Sequence, residues 1–478
     1  MTTLNNTSRA LKIYLIAGEP SGDLLGSRLM RALRAKTGGN VEFFGLGGDT
    51  MEAEGLKSVF DISDLAVMGL VEVIPSIPKV LRRIRQTVSD IRKVQPDIVV
   101  TIDSWSFSSR VHKALRKLKL GIPQLHYVAP QVWAWKKKRA RTMYKYIDAL
   151  MTLLPQEPKY FTPYHLETTF VGHPVIESEV LHADGEAFRA KYGIPADKKV
   201  IAVLPGSRHN EVAKLLPVFL EASKMLLKYD KDFFFVIPTV KTVAKRVREM
   251  TQNCGLPLQV VETQQDRYNA FRASSAAIAA SGTVALELAI TRIPHIIAYK
   301  VSPLTAFIVG RIMKIQFVNL SNIMLGREII PELLQERCVC GNICQYVLEL
   351  LKHGDLYERQ MEGFDKVKEI LSQGRQTPSE NASDVVLELI ARRKQMLTVY
   401  VGPDRPFGLP LRTSAVLRGE PLPQLAAVID ANPDLKKLFV PVEKLAETRC
   451  QLRKEGSGMH RLFKTINEAS RKARKAKE

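Results

Sequence analysis

The stretch Ala276–Tyr299, AAIAASGTVALELAITRIPHIIAY, decides the fold. Ala276–Ala280 is a small, apolar run of strand length. Ser281-Gly282-Thr283 has turn chemistry, and Val284–Ile290 has the apolar density of a helix packed on a sheet. Pro294 closes the loop, and Ile296–Tyr299 begins another strand. Strand, turn, helix, strand is the unit of a parallel α/β sheet. The turn aims helix-start amides and two hydroxyls at one point. That point attracts an anion, because those amides lack internal partners and the helix dipole is positive there. Glu287 follows Thr283 by four residues, so it can face the same ligand; a carboxylate suits a sugar diol. The plain alternative is a helix cap with a solvated Glu.

A second stretch points the same way. Val200–Arg208, VIAVLPGSR, is a β-branched, apolar strand ending in Pro205-Gly206-Ser207-Arg208. It places a guanidinium at the carboxyl edge of a sheet, where open α/β sheets bind ligands. The planar fork of Arg matches a diphosphate. The alternative is a surface Arg closing a turn.

Working outward, 478 residues allow two or three domains, and a 45% hydrophobic fraction is ordinary for a globular protein. The net charge of +21 implies acidic surroundings: anionic lipid, nucleic acid or phosphorylated substrates. Five cysteines are too few for a disulfide framework, and Cys338, Cys340 and Cys344 lack paired zinc spacing. They are read as reduced thiols of a cytosolic protein. The N-terminal residues have no apolar signal core, and no run of about 18 apolar residues exists, so membrane contact is expected to be peripheral.

Lys12–Ala17 is a strand running into Gly18-Glu19-Pro20-Ser21-Gly22-Asp23 and a helix. Val41–Leu46 is the second strand. Ser63–Val88 sets apolar residues (Leu65, Met68, Leu70, Val73) before a basic run (Lys79, Arg82, Arg83, Arg85), as at a lipid surface; the alternative is a core helix with a solvated basic face. Asp97–Ile102 is a strand tipped by Asp103. Ile122–Val128 precedes Trp133, Trp135 and the basic run Lys136–Arg141, which could grip nucleic acid or be a solvated helical turn. Ala149–Leu154 is strand five, and Glu177–Asp197 reads as an inter-domain linker. The second half repeats the alternation, with strands near Val200, Phe233, Leu258, Ala276 and Ile296. Helices are expected from Glu328 to about Lys394. Met396–Glu478 lacks the parallel-sheet pattern and reads as an appended basic segment, a small helical unit with a disordered tail.

Eight motifs in order resemble the lipid-A-disaccharide synthase family of inverting glycosyltransferases: AGEPSGD (17–23), LAVMGLVEV (65–73), TID (101–103), VWAW (132–135), GHP (172–174), LPGSR (204–208), SGTVALE (281–287) and NIMLGRE (322–328). The resemblance covers about residues 12–395. It implies an α/β architecture of two Rossmann-like domains facing across a cleft (GT-B), with C-terminal helices crossing back to the N-terminal domain. The expected parts are 1–178, an acceptor and membrane-side domain; 179–360, the UDP-sugar domain; 361–396, crossover helices; and 397–478, the appendage. The implied reaction condenses UDP-2,3-diacylglucosamine with 2,3-diacylglucosamine 1-phosphate, giving the β-1,6-linked disaccharide 1-phosphate of lipid A and UDP.

The residues fit that chemistry. Arg208 and the start of the helix at Ser281, Gly282 and Thr283 would stabilise the charge developing on UDP. Glu287 would take the ribose hydroxyls, and Asp103 is the candidate general base. By resemblance, Gly18, Glu19, Ser21, Asn322, Arg327 and Glu328 line the sugar and phosphate side, while Met68 and its neighbours take acyl chains. No metal or other cofactor is expected, the chain being read as having no DxD triplet anywhere to hold a metal-bound diphosphate. The partners expected are the two acylated sugars and the anionic cytoplasmic face of the inner membrane, not nucleic acid; the resemblance leaves room for a homodimer. One departure matters: the family often has ID-x-x-D-F, whereas here Ser106 stands at the second Asp, leaving Asp103 the only carboxylate in its loop. The rival readings are a peptidoglycan GlcNAc transferase on the same fold and a basic nucleic-acid-binding protein.

Overall fold

The computed structural model describes residues 9–65, 73–130, 132, 139–301, 316–372, 374, 376–395, 397–418 and 423–475. They divide into two compact units at Ser383/Asp384.

The first unit holds two six-stranded parallel sheets. The N-terminal sheet comprises β1 (Leu11–Ala17), β2 (Val41–Leu46), β3 (Ile98–Ile102), β4 (Gln124–Tyr127), β5 (Ala149–Thr152) and β6 (Glu167–Phe170), in the order β2-β1-β3-β4-β5-β6. The second comprises β7 (Lys199–Leu204), β8 (Phe233–Pro238), β9 (Leu258–Val261), β10 (Ala276–Ala279), β11 (His295–Tyr299) and β12 (Glu332–Leu334), in the order β12-β11-β10-β7-β8-β9. In each, the strand order reverses direction beside the first strand, the switch point at which such sheets bind ligands. Strand β12 falls where helices alone were expected. It is three residues long, below what an apolar pattern signals, and its pairing with β11 supplies the order.

The apolar runs become strands because both sheet faces are covered. Along β7, Val200, Ala202 and Leu204 enter one core with Val236, Ala277 and Leu286. Ile201 and Val203 enter the opposite core with Phe219, Phe235 and Val347. The period of two thus divides one continuous apolar run between two layers. In the N-terminal half, Tyr14, Ile16, Val99, Val111 and Ile91 share a core. The stretch read as a linker instead packs: the helix Gly185–Tyr192 sends Phe188 into the second half's core, with Ile194 behind it.

The chain crosses back through the helix Pro378–Gln395. Ser379 Oγ donates to Glu177 Oε2 at 2.7 Å, and Asn381 Nδ2 donates to the Val171 carbonyl at 3.1 Å. Lys36 Nζ donates to the Glu380 carbonyl at 2.9 Å. Gly172 permits the approach: its φ is +95°, and a Cβ there would stand 3.0 Å from Pro378.

The second unit contains the expected helices, but it adds a sheet and replaces the expected disordered tail with the helix Gly458–Lys475. Strands β13 (Leu397–Tyr400), β14 (Val416–Arg418) and β15 (Phe439–Pro441) form an antiparallel sheet in the order β14-β13-β15. Tyr400, Leu425, Ile429, Leu435, Leu438 and Ile466 close a core of its own. Scattered prolines masked this fold in the sequence, because they interrupt the apolar runs by which strands of similar length elsewhere were read.

Candidate active site

At the carboxyl edge of the N-terminal sheet, two loops meet. β1 delivers Gly18 and Glu19, and β3 delivers Asp103 and Ser104. Ser104 Oγ donates to Glu19 Oε1 at 2.9 Å, and its backbone N–H donates to Asp103 Oδ1 at 2.7 Å. Gly18 makes the approach possible, because a Cβ there would lie 2.9 Å from Ser104 Oγ. Asp103 (φ 53°) and Ser104 (φ 44°) are consecutive left-handed residues without being glycine. Such conformations cost on the order of 1–3 kcal/mol each and persist only where surroundings over-determine them. Here the Asp103 N–H donates to the Tyr127 carbonyl at 2.9 Å, and Ser108 Oγ donates to the Asp103 carbonyl at 3.0 Å. Burial, and secondarily the Glu19 carboxylate, pushes the Asp103 carboxyl above the ordinary aspartate range. A second carboxylate therefore does stand beside Asp103, supplied by a loop 84 positions earlier rather than by position 106. Ser106 is exposed.

Beneath the loop, Thr101 Oγ1 contacts His112 Nε2 at 2.8 Å and His126 Nδ1 at 2.6 Å. Trp105 lies over His126, ring centroids 4.7 Å apart. Both histidines are fully buried, and burial holds His112 down to about 4. Nearby Asp23, from the same AGEPSGD motif, is buried and spent: it accepts from the Gly48, Thr50 and Met51 amides and the Thr50 hydroxyl. Ser21 lies exposed in the first turn of the helix Pro20–Lys36.

In the second half, β7 and β10 are neighbours, with Leu204 opposite Ala279, so the LPGSR and SGT loops leave the sheet side by side. The Arg208 side chain is 71% exposed and pairs with Glu211 Oε1 at 2.8 Å. Glu211 also accepts from the Ser207 and Arg208 amides and from the Tyr299 hydroxyl. Gly282 and Thr283 are exposed, and Ser281 Oγ donates to the Val318 carbonyl at 3.4 Å. The following helix, Val284–Ile290, is only seven residues long, which limits its dipole. Glu287 is partly covered, accepting from the Tyr268 hydroxyl at 3.3 Å. Burial raises its carboxyl, with Arg267 and the Tyr268 bond opposing.

The NIMLGRE stretch separates into two roles. Asn322 is fully buried: its Nδ2 donates to the Ile330 carbonyl and Glu332 Oε1, and its Oδ1 accepts from the Ile329 and Ile330 amides. That side chain has no capacity left for a ligand, which corrects its expected place in the lining. It holds the turn that presents Arg327 and Glu328, both exposed. Glu332, which the sequence reading passed over, accepts from the Val318 and Asn319 amides as well.

Met68 lies outside the described residues, as do Trp133, Trp135 and Lys136–Lys138. Of the apolar–basic stretch, the helix Val73–Val94 packs Val80, Ile84, Val88 and Ile91 on the core. Arg83 is bound to Asp64 and stacks 4.4 Å over Phe60, and Lys79 also pairs with Asp64. Arg82, Arg85 and Leu81 face solvent. The reading that the chain has no DxD triplet is corrected: Asp230-Lys231-Asp232 is one, but it precedes β8 at the opposite sheet edge, where Asp230 pairs with Lys199 and Asp232 with Lys198. No described helix is long and apolar enough to cross a membrane.

Residues 13–386 match the family model described as lipid-A-disaccharide synthetase. The chain is 48% identical over 385 residues to the lipid-A-disaccharide synthase of Paramagnetospirillum magneticum, covering 80% of this chain and 98% of that one. It is 46% identical over 385 residues to that of Rhodospirillum centenum, covering 80% and 96%. Among solved structures, the UDP-GlcNAc 2-epimerase of Neisseria meningitidis bound to UDP-GlcNAc superposes with a TM-score of 0.52 at 14% identity, covering 80% of this chain and all of the other. That likeness is one of fold.

Proposed function

Because this chain belongs to the lipid-A-disaccharide synthase family, we propose that it transfers a 2,3-diacylglucosamine unit from its UDP derivative to 2,3-diacylglucosamine 1-phosphate. The comparisons favour neither the peptidoglycan transferase nor the nucleic-acid-binding reading. The observation that carries the chemistry is the Glu19–Ser104–Asp103 contact at the carboxyl edge of the N-terminal sheet.

Asp103 is the general base. The acceptor's 6-hydroxyl gives its proton to Asp103 as its oxygen forms a bond to the donor's anomeric carbon, and the bond from that carbon to the UDP oxygen breaks. Attack opposite the leaving group inverts the centre, consistent with a β-1,6 product. A raised carboxyl is the stronger base and holds the proton better during transfer. Arg208 swings from Glu211 to the donor diphosphate, joined by the amides and hydroxyls of Ser281–Thr283. Glu287 orients the ribose. Arg327 and Glu328 contact sugar and phosphate groups, with Gly18, Glu19 and Ser21 opposite. Arg82, Arg85 and the exposed Leu81 meet the anionic membrane surface that carries the acylated substrates. Mass spectrometry of products from purified enzyme and the two acylated sugars tests the reading. Disaccharide 1-phosphate with stoichiometric UDP is expected; UDP release without disaccharide overturns it.

A further inference from the structure

We propose that the last two helices of the chain, Leu445–Arg453 and Gly458–Lys475, form a second docking face for an anionic lipid surface, separate from the catalytic unit.

The charge of the appended unit is lopsided. Residues 384–478 carry 19 Lys+Arg against 11 Asp+Glu. From Arg449 onward the counts are 10 against 3, so these 30 residues supply +7 of the unit's +8. Such a concentration is not what uniform solvation of a small domain produces. The two helices pack together, His460 Nδ1 meeting the Leu452 carbonyl at 2.8 Å.

The fold then sorts that charge onto one side. The helix Gly458–Lys475 spans about 27 Å. Met459, Leu462 and Ile466 lie against the unit's own core, and Ser470 Oγ accepts from the Phe407 amide at 2.8 Å. The opposite side exposes Arg461, Lys464, Arg471 and Lys472, with Glu468 the acid among them. With its apolar side occupied, this helix cannot insert into a bilayer; it can only lie on one through its cations, which an anionic surface attracts. Arg453 and Lys454 are exposed on the preceding helix and turn. Arg449 reaches Ser414, two residues from Val416, which is 61% exposed.

The choice of lipid over nucleic acid rests on two points. Single-stranded nucleic acids are held by aromatic platforms interleaved with cations. Among the described residues, the large apolar side chains this unit exposes are Val416 and Val442, both aliphatic. The second point rests on the proposed function: substrates with two acyl chains each reside in a bilayer.

The test uses the full chain with Arg461→Glu, Lys464→Glu, Arg471→Glu and Lys472→Glu combined, and a matching set of Gln substitutions should the Glu set lose its circular dichroism. Sedimentation with phosphatidylglycerol–phosphatidylethanolamine vesicles is expected to weaken at least about tenfold at physiological salt. Turnover on detergent-dispersed substrates should not change. Unchanged vesicle binding overturns the proposal, as does RNA-oligonucleotide binding that exceeds vesicle binding and is lost in the same variant. Absence of turnover in the unaltered protein would instead count against the transferase reading and leave the vesicle comparison intact.

Discussion

Ser104 joins two carboxylates, donating its hydroxyl to Glu19 and its amide to Asp103. Glu19 and Asp103 sit in loops far apart in sequence, so the serine sets their spacing. Ser104→Ala should leave a folded enzyme whose kcat falls about tenfold or more, with donor KM little changed, since a misplaced base slows the chemical step. Ser104→Thr keeps the hydroxyl and should recover most of the loss. Equal activity of the Ala and Thr variants would show that Ser104 does not position the base.

For Asp103, Asn preserves shape but not basicity. Asp103→Asn should still bind UDP and turn over at least about a hundredfold more slowly. The raised carboxyl also fixes a sign: the base works deprotonated, so kcat should fall with acid through a pH above the ordinary aspartate range. A profile flat to below that range, or near-normal turnover of the Asn variant, would exclude Asp103 as base.

Arg208 is exposed and, among the described residues, its side chain pairs with Glu211, so its loss should change stability by no more than about 0.5 kcal/mol. Arg208→Ala should nonetheless lose most UDP affinity and turnover, and Arg208→Lys should recover only part, because the two-pronged geometry is gone. Calorimetric titration of UDP into the three proteins decides; equal affinity would leave Arg208 as a turn-closing residue.

Asn322 gives the opposite signature. Asn322→Ala leaves Glu332 and the Ile329 and Ile330 amides short of partners in a buried setting. Each unpaired group costs about 1–3 kcal/mol, so a urea midpoint shift equivalent to at least about 2 kcal/mol is expected. A stable variant that merely binds donor poorly would return Asn322 to the lining.

Buried imidazoles make the fold acid-sensitive. His112, His173 and His295 are each held down to about 4 by burial. The unfolded chain binds protons at the ordinary histidine value, so it gains protons first as pH falls. Stability is therefore full above about 6.5 and declines towards about 4. Thermal melts across that window should show Tm falling with acid, and His295→Leu should flatten the slope. An unchanged slope would mean that His295 does not contribute.

The alternation of apolar runs and glycine turns was enough to determine the two parallel sheets, because a strand covered on both faces must be apolar throughout. It also located Gly18, Asp103, Arg208 and Ser281 at strand ends, since ligand-edge loops follow strands directly. What the tertiary structure decided is the company each residue keeps. Glu19 pairs with Ser104 across 85 positions, and Asn322 is consumed by a turn that only long-range packing creates. Arg83 looked like a free surface cation until Asp64 and Phe60 were placed beside it. The short strands β12 to β15 were illegible for a related reason. Pro331 before β12 and the prolines scattered around β13 to β15 break up the apolar runs that make a four-residue strand such as β10 readable, so only pairing with distant partners identifies them.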